Sequence, residues 1–320
     1  MASYTFAAGQ VRSLENRLLN KTDIERMVDA PDIEAAFKVF NDTDYADNLQ
    51  DVKPIEFKKA LDDDFRQARD TLLALIENKD LIKILFLRND IRNIKVLFKT
   101  KNTDKDLTDE LREFGTDLSE NLKKYILEDD KSQTVSKEVK EIIDQAKIDL
   151  ASIKDPFQID AYFDEAYFQA VQDAVDRLGN NYIKGLHSLQ HKTNTLKFFV
   201  RAKLLKKPAS FVKEYLPSKY LAVYDRDLDE ALRAVSFHPL HDTAIAEFIN
   251  DKQLWKLEKN LEEAEINYLR DAKRIAYGPE VVVAYYYAKR NAIRNVRLIM
   301  TGKLNKIDPA KIKQRVREIY

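Results

Sequence analysis

NIKVLFKTK at residues 93–101 returns as TLKFFVRAK at 195–203 and as NVRLIMTGK at 295–303, at spacings of 102 and 100 residues. The shared pattern is small polar, apolar, basic, any, apolar, apolar, any, small, lysine. Solenoid repeats have periods of roughly 20 to 50 residues, so a period near one hundred describes larger units. It divides the chain into thirds, residues 1–103, 104–207 and 208–320.

Upstream of each window lies a long stretch with apolar residues at helical spacing. Leu61 aligns with Phe163, and Phe65 aligns with Tyr167 and Tyr268. In the first third Leu61, Phe65, Ala68, Leu72 and Ile76 recur at steps of three and four, the period of an amphipathic helix. ENKD breaks it, and Ile84, Leu87, Ile91, Ile94 and Phe98 then share one face of a second helix. In the second third IDAYFDEAYFQAVQDAVDRL runs to GNN, and the next helix continues to Leu205 before KKPAS. RDLDEALRAV gives a shorter helical stretch. In the last third Leu254, Leu257, Leu261, Ala264, Tyr268, Ala272 and Ile275 form a stripe that ends at AYGPE, where Pro279 and Glu280 suit a new first turn. Asp308 and Pro309 start a terminal helix in the same manner.

Three short helices precede these pairs. The first carries Leu14, Leu18 and Leu19, Thr22 with Glu25 fits a capping box for the second, and the third spans about Asp32 to Phe40 with NDTDY as its stop. KNTDKDLTDE and LEDDKSQTVS read as surface loops.

Composition fixes the class. Only 6 glycines and 8 prolines occur in 320 residues, while 34% of residues are charged. Hairpins and tight turns need Gly and Pro, so the reading is all-α: three pseudo-symmetric helical subdomains. An apolar fraction of 44% supplies a large core. The 54 basic and 54 acidic side chains cancel, so the electrostatic surplus of a dedicated nucleic-acid binder is absent. There is no cysteine, hence no disulfide or thiolate chemistry. The start, MASYTFAAGQVR, lacks the pattern of a secretory signal, and VVVAYYYA at 281–288 falls short of the roughly 18 to 20 apolar residues that span a bilayer. The chain reads as soluble and cytoplasmic.

The chemistry-bearing motifs fail one by one. His187 and His191 stand one helical turn apart, but two ligands do not make a tight metal site and HSLQH lacks a hydrolase glutamate. His238 and His241 fall in FHPLHD, interrupted by proline. The acidic runs lack the alternation and central glycine of calcium loops. TGKL at 301–304 is not a phosphate loop, because arginine stands where the first loop glycine belongs and leucine where the magnesium-binding hydroxyl belongs. The sequence predicts no catalytic residue, metal or cofactor.

A basic stripe remains, with Arg88, Arg92, Lys95 and Lys99 in the first copy, Lys197 and Arg201 in the second, and Arg290, Arg294 and Arg297 in the third. One reading is a solvated helix face with ion pairs worth a few tenths of a kcal/mol each. The other is that three equivalent helices turn these charges toward a shared central region where an acidic or helical partner docks.

The string VRSLENRLLNKTDIERMVDAPDIEAAFKVFNDTDY, followed by DIRNIKVLFKTK and the late YYAKRNAIRNVRLIMTGKLN, resembles the C subunit of V-type and A-type rotary ATPases, called d in eukaryotes. The likeness runs over essentially the whole chain; TNTLKFF in the middle copy departs from the lead seen at Asp90 and Asn93. It implies a non-catalytic rotor component: a funnel-like socket of three similar subdomains, present in one copy within a hetero-oligomeric complex. It implies as partners the proteolipid (c) ring and the central shaft subunits of D and F type, a place on the cytoplasmic face of a membrane without a span of its own, and a part in proton or sodium transport. The rival reading is a helical scaffold or RNA-associated protein that uses the same stripes.

Overall fold

A computed structural model describes residues 4–43, 52–103, 105–235 and 237–320. Sixteen α-helices and no strand occur among the described residues, in line with the scarcity of turn formers. The chain divides into two compact units, one formed by residues up to 78 together with 238–320, the other by 79–237. The expected boundary at Asp104 and the Asp44–Tyr45 end of the NDTDY stop lie outside the described residues.

In chain order the first unit opens with α1 (Thr5–Glu15), α2 (Lys21–Asp29), α3 (Ile33–Asn41) and α4 (Phe57–Leu75). The second holds α5 (Lys79–Asn102), α6 (Ser119–Leu127), α7 (Lys137–Asp149), α8 (Pro156–Leu178), α9 (Asn181–Leu204), α10 (Ala209–Val212), α11 (Ser218–Leu221) and α12 (Leu228–Ala234). The first unit then resumes with α13 (Asp242–Asp251), α14 (Leu254–Leu269), α15 (Pro279–Leu304) and α16 (Pro309–Arg315).

Local chemistry explains most boundaries. Asp32 caps α3 by accepting from Ala35 N at 2.8 Å, and Asp308 caps α16 by accepting from Ala310 N at 2.7 Å. GNN ends α8 with Gly179 in the left-handed region, φ 66°, and starts α9 with Asn180 accepting from Ile183 N. The capping box of α2 sits two residues earlier than expected: Asn20 and Asp23 exchange side-chain to backbone bonds at 3.1 Å, in place of Thr22 and Glu25. The α14 stripe also changes pitch, since residues 270–274 tighten into a 3-10 turn that Ala272 keeps buried. The polar stretches around residues 105–136 flank two helices that periodicity left unseen. Each buries a short stripe, Leu122, Tyr125 and Ile126 in α6, and Val139, Ile143 and Ala146 in α7.

The core of the first unit is α15, whose residues from Val281 to Lys289 are all buried against α1, α3, α4 and α14. That explains a stretch apolar all round, which marks a helix enclosed by others. Phe65 of α4 meets Tyr286 at 5.8 Å between ring centroids. Inside this core Lys289 pairs with Asp64 at 2.8 Å, both side chains at most 10% exposed.

The second unit is built on α5 and α8, which run antiparallel. Four contacts climb the seam in opposite chain directions: Asp80 with Arg177 at 2.7 Å, Arg88 over the Tyr167 ring at 4.8 Å, Lys95 with Asp164 at 2.5 Å and Lys99 with Asp160 at 2.7 Å. Phe98 and Phe163 meet edge-on at 4.9 Å at its centre.

Candidate functional site

The repeated motif closes on a lysine, and its three copies do one job. Lys101 Nζ donates to the carbonyl of Ile126 at 3.1 Å, near the C-terminus of α6. Lys203 donates to Tyr224 O at 2.6 Å and to Arg226 O, just beyond α11. Lys303 donates to Val28 O at 2.6 Å and to Ala30 O, the C-terminal end of α2. Helix ends expose unpaired carbonyls and negative dipole, and an ammonium satisfies both. The closing lysine is an internal cap.

The small polar residue that opens the motif has an equally defined role in two copies. Asn93 Nδ2 donates to Arg112 O at 2.7 Å while Arg112 N donates to Asn93 Oδ1 at 3.1 Å. Asn295 Nδ2 donates to Arg317 O at 2.9 Å while Arg317 N donates to Asn295 Oδ1 at 3.0 Å. One turn earlier Asn89 donates to Phe114 O and Asn291 to Glu318 O. An Asn-x-x-x-Asn face thus straps a returning segment along α5, and another does so along α15. In α9 the corresponding residues are His191 and Thr195, and Thr195 Oγ1 donates to His191 O within its own helix. Among the described residues the middle copy shows no such strap contact, in keeping with its divergent TNTLKFF.

Beside the first clamp Asp90, fully buried, accepts from Thr116 N, Asp117 N and Thr116 Oγ1 at 3.0–3.1 Å. Burial outweighs these donors and pushes its carboxyl up to about 7.

The stripe cations fall into two groups. Arg88, Lys95 and Lys99 face α8 in the seam described above. Arg297 reaches Asp62 of α4 at 2.5 Å and Arg294 reaches Glu262 of α14 at 2.7 Å, although its own side chain is half exposed. Their partners lie on neighbouring helices, not one turn along the same helix. Arg92, Arg201, Arg290 and Arg294 are exposed, and Lys197 is half-buried. Arg92 donates to Glu110 O at 2.9 Å, and Arg290 has no ion pair among the described residues.

The histidines are occupied by packing. His187 lies buried against the Phe168 ring, where burial lowers its pKa to about 4, and His191 stands 3.9 Å from Glu165. No group of three metal-ligating side chains occurs among the described residues. No described helix is long and apolar enough to cross a membrane.

Sequence reasoning missed one feature of the first unit. A cavity of about 940 Å³ opens between α14, α15 and α16, and its lining includes Arg294, Arg297, Lys311, Arg315, Arg317 and Trp255. Its available signal was KIKQRVR at 311–317, four cations in seven residues.

With this geometry in place, comparison with known families shows that residues 7–315 fit the family described as the ATP synthase (C/AC39) subunit. No curated protein matches the chain.

Proposed function

The chain belongs to the ATP synthase (C/AC39) subunit family, and on that premise we propose that it is a non-catalytic central-stalk rotor subunit of a V-type or A-type ATPase. In this reading it sits on the cytoplasmic face of the membrane, joins the proteolipid ring to the D- and F-type shaft subunits, and turns with them. It passes torque between ATP hydrolysis elsewhere and proton or sodium movement. The observation that carries the reading is the family match over nearly the whole chain.

Three pseudo-equivalent subdomains arranged as a funnel-like socket follow from the same reading, supported by the common capping role of Lys101, Lys203 and Lys303. An adaptor under torque needs stiffness. Helix ends tied by ammonium groups and straps tied by paired amides supply it within each unit. The stripe cations orient the shaft, with exposed Arg92, Arg201, Arg290 and Arg294 contributing most of the accessible charge. Exposed pairs are individually weak, so broad contact carries the affinity and charge sets register and association rate.

The test is affinity capture of the tagged full chain from detergent-solubilised membranes. Recovery of the proteolipid ring and shaft subunits is expected. Recovery of neither, from membranes that retain an assembled ATPase, overturns the assignment. Arg92→Glu with Arg294→Glu is expected to weaken shaft capture several-fold at low salt while leaving ring capture intact; unchanged shaft capture removes these residues from the shaft side.

A further inference from the structure

The cavity between α14, α15 and α16 is lined by five cations, Arg294, Arg297, Lys311, Arg315 and Arg317, and by no Asp or Glu. Two carboxylates stand behind them: Glu262 pairs with Arg294 and with Arg317 at 2.7 Å each, and Asp62 pairs with Arg297 at 2.5 Å. Lys311 and Arg315 are exposed and have no carboxylate partner among the described residues. The cleft therefore carries an excess of about three positive charges. The Arg315 guanidinium lies 5.1 Å above the Trp255 ring, so that wall combines an aromatic face with a cation.

Backbone packing builds this convergence. Gly302 of α15 is buried, and a Cβ there would stand 2.6 Å from Ile312 Cδ1. Its bare backbone lets α16 seat against α15, which sets cations of both helices around one cleft. Arg317 is held by Asn295 and Glu262, so its guanidinium is fixed before any ligand arrives.

We propose that this cleft binds a compact polyphosphate, either as a free anion or as the head group of a phosphorylated lipid. Three features favour dense phosphate charge over an acidic peptide. The cations converge on a concavity instead of lying along an open face. The volume is within the roughly 300–1,000 Å³ of small-ligand sites. Four of the five cations are arginines, whose planar forks match phosphate oxygens. The inference goes beyond the stalk assignment and requires neither shaft nor ring.

Trp255 is the single tryptophan of the chain, so its fluorescence reports on the cleft directly. Titration of the full-length protein with tripolyphosphate and with inositol hexakisphosphate, at about 150 mM salt, is expected to give a saturable signal and one site by calorimetry. Lys311→Glu with Arg315→Glu is expected to weaken binding at least about tenfold while the helical signal and melting temperature stay unchanged. If that variant fails to fold, Lys311→Gln with Arg315→Gln carries the same expectation. Trp255→Phe should abolish the fluorescence change and keep the calorimetric site.

Vesicles separate the two sources: preference for phosphoinositide vesicles over phosphatidylserine vesicles of equal charge assigns the head group, and binding of soluble anions alone assigns the free form. Polyglutamate binding as tightly as tripolyphosphate, no saturation up to about 1 mM, or an unaffected charge-reversal variant would each overturn the proposal.

Discussion

Asn93 and Asn295 hold the chain that follows them in the same way, each giving its amide N–H to one residue's carbonyl and taking that residue's N–H in return. Both side chains are fully buried, and the residues they hold are Arg112 and Arg317. Two hydrogen bonds per amide, shielded from water, make each clamp a single point on which a strap depends. Replacing either asparagine by alanine leaves a backbone donor and acceptor unpaired and should cost about 2–3 kcal/mol. Thr195→Val, whose hydroxyl serves only its own helix, should cost about 1 kcal/mol or less. Urea unfolding of the three variants decides this; equal losses would show that the clamps do not matter.

Lys303 is buried and is bonded to two carbonyls at the end of α2. Lys303→Met keeps the apolar stem and removes the donor, so a loss of about 1–3 kcal/mol is expected. Hydrogen exchange should accelerate in the last turn of α2 before it does elsewhere. Lys101→Met should cost less, since Lys101 is exposed and water can replace it.

The Lys289–Asp64 pair has little access to water. Asp64→Asn strands an ammonium in the core and should destabilise by about 3–5 kcal/mol. Asp64→Leu combined with Lys289→Met should recover at least half of that loss, because no charge then remains to desolvate. A double-mutant cycle measured by chemical denaturation checks both values.

Asp90 and His187 give opposite pH slopes within residues 79–237. Asp90 titrates near 7 when folded and near 3.9 when unfolded. Its contribution is fully present below pH 4 and is lost as pH rises through 7. His187 is held near 4 against about 6.5 unfolded, so its contribution is present above pH 6.5 and lost as pH falls toward 4. Asp90→Asn should therefore remove a decline with rising pH, and His187→Phe should remove a decline with falling pH. Melting curves at intervals from pH 4 to 8 should show the two changes with opposite sign.

Periodicity and the repeated motif located α4, α5, α8, α9, α14 and α15, because each carries a long run of buried apolar residues. They missed α6 and α7, whose three-residue stripes are diluted by Lys, Glu and Asp. The motif was visible as a string, but the role of Asn93 depends on Arg112, nineteen residues away, and that of Lys289 on Asp64, 225 residues away. Such partners leave no local trace. The sequence leaves the stripe open between a solvated face with ion pairs and a shared docking region, and it does not show that Lys95 and Lys99 find carboxylates on α8 and Arg297 finds one on α4. Trp255 and Lys311 escaped notice because their convergence is created by the seating of α16 at Gly302.

Lys101 and Lys203 reach carbonyls some twenty to twenty-five positions downstream, whereas Lys303 reaches upstream to Val28 and Ala30, 275 and 273 positions away. The third copy of the pattern is thus completed by a segment synthesised well before it. Residues 79–237 are contiguous and can assemble during synthesis, while α2 waits for nearly three hundred residues to emerge before its end is covered. Such sequence-distant closure makes the unit assembled from two separated stretches the slow one to form, and the one exposed to proteolysis in a nascent chain.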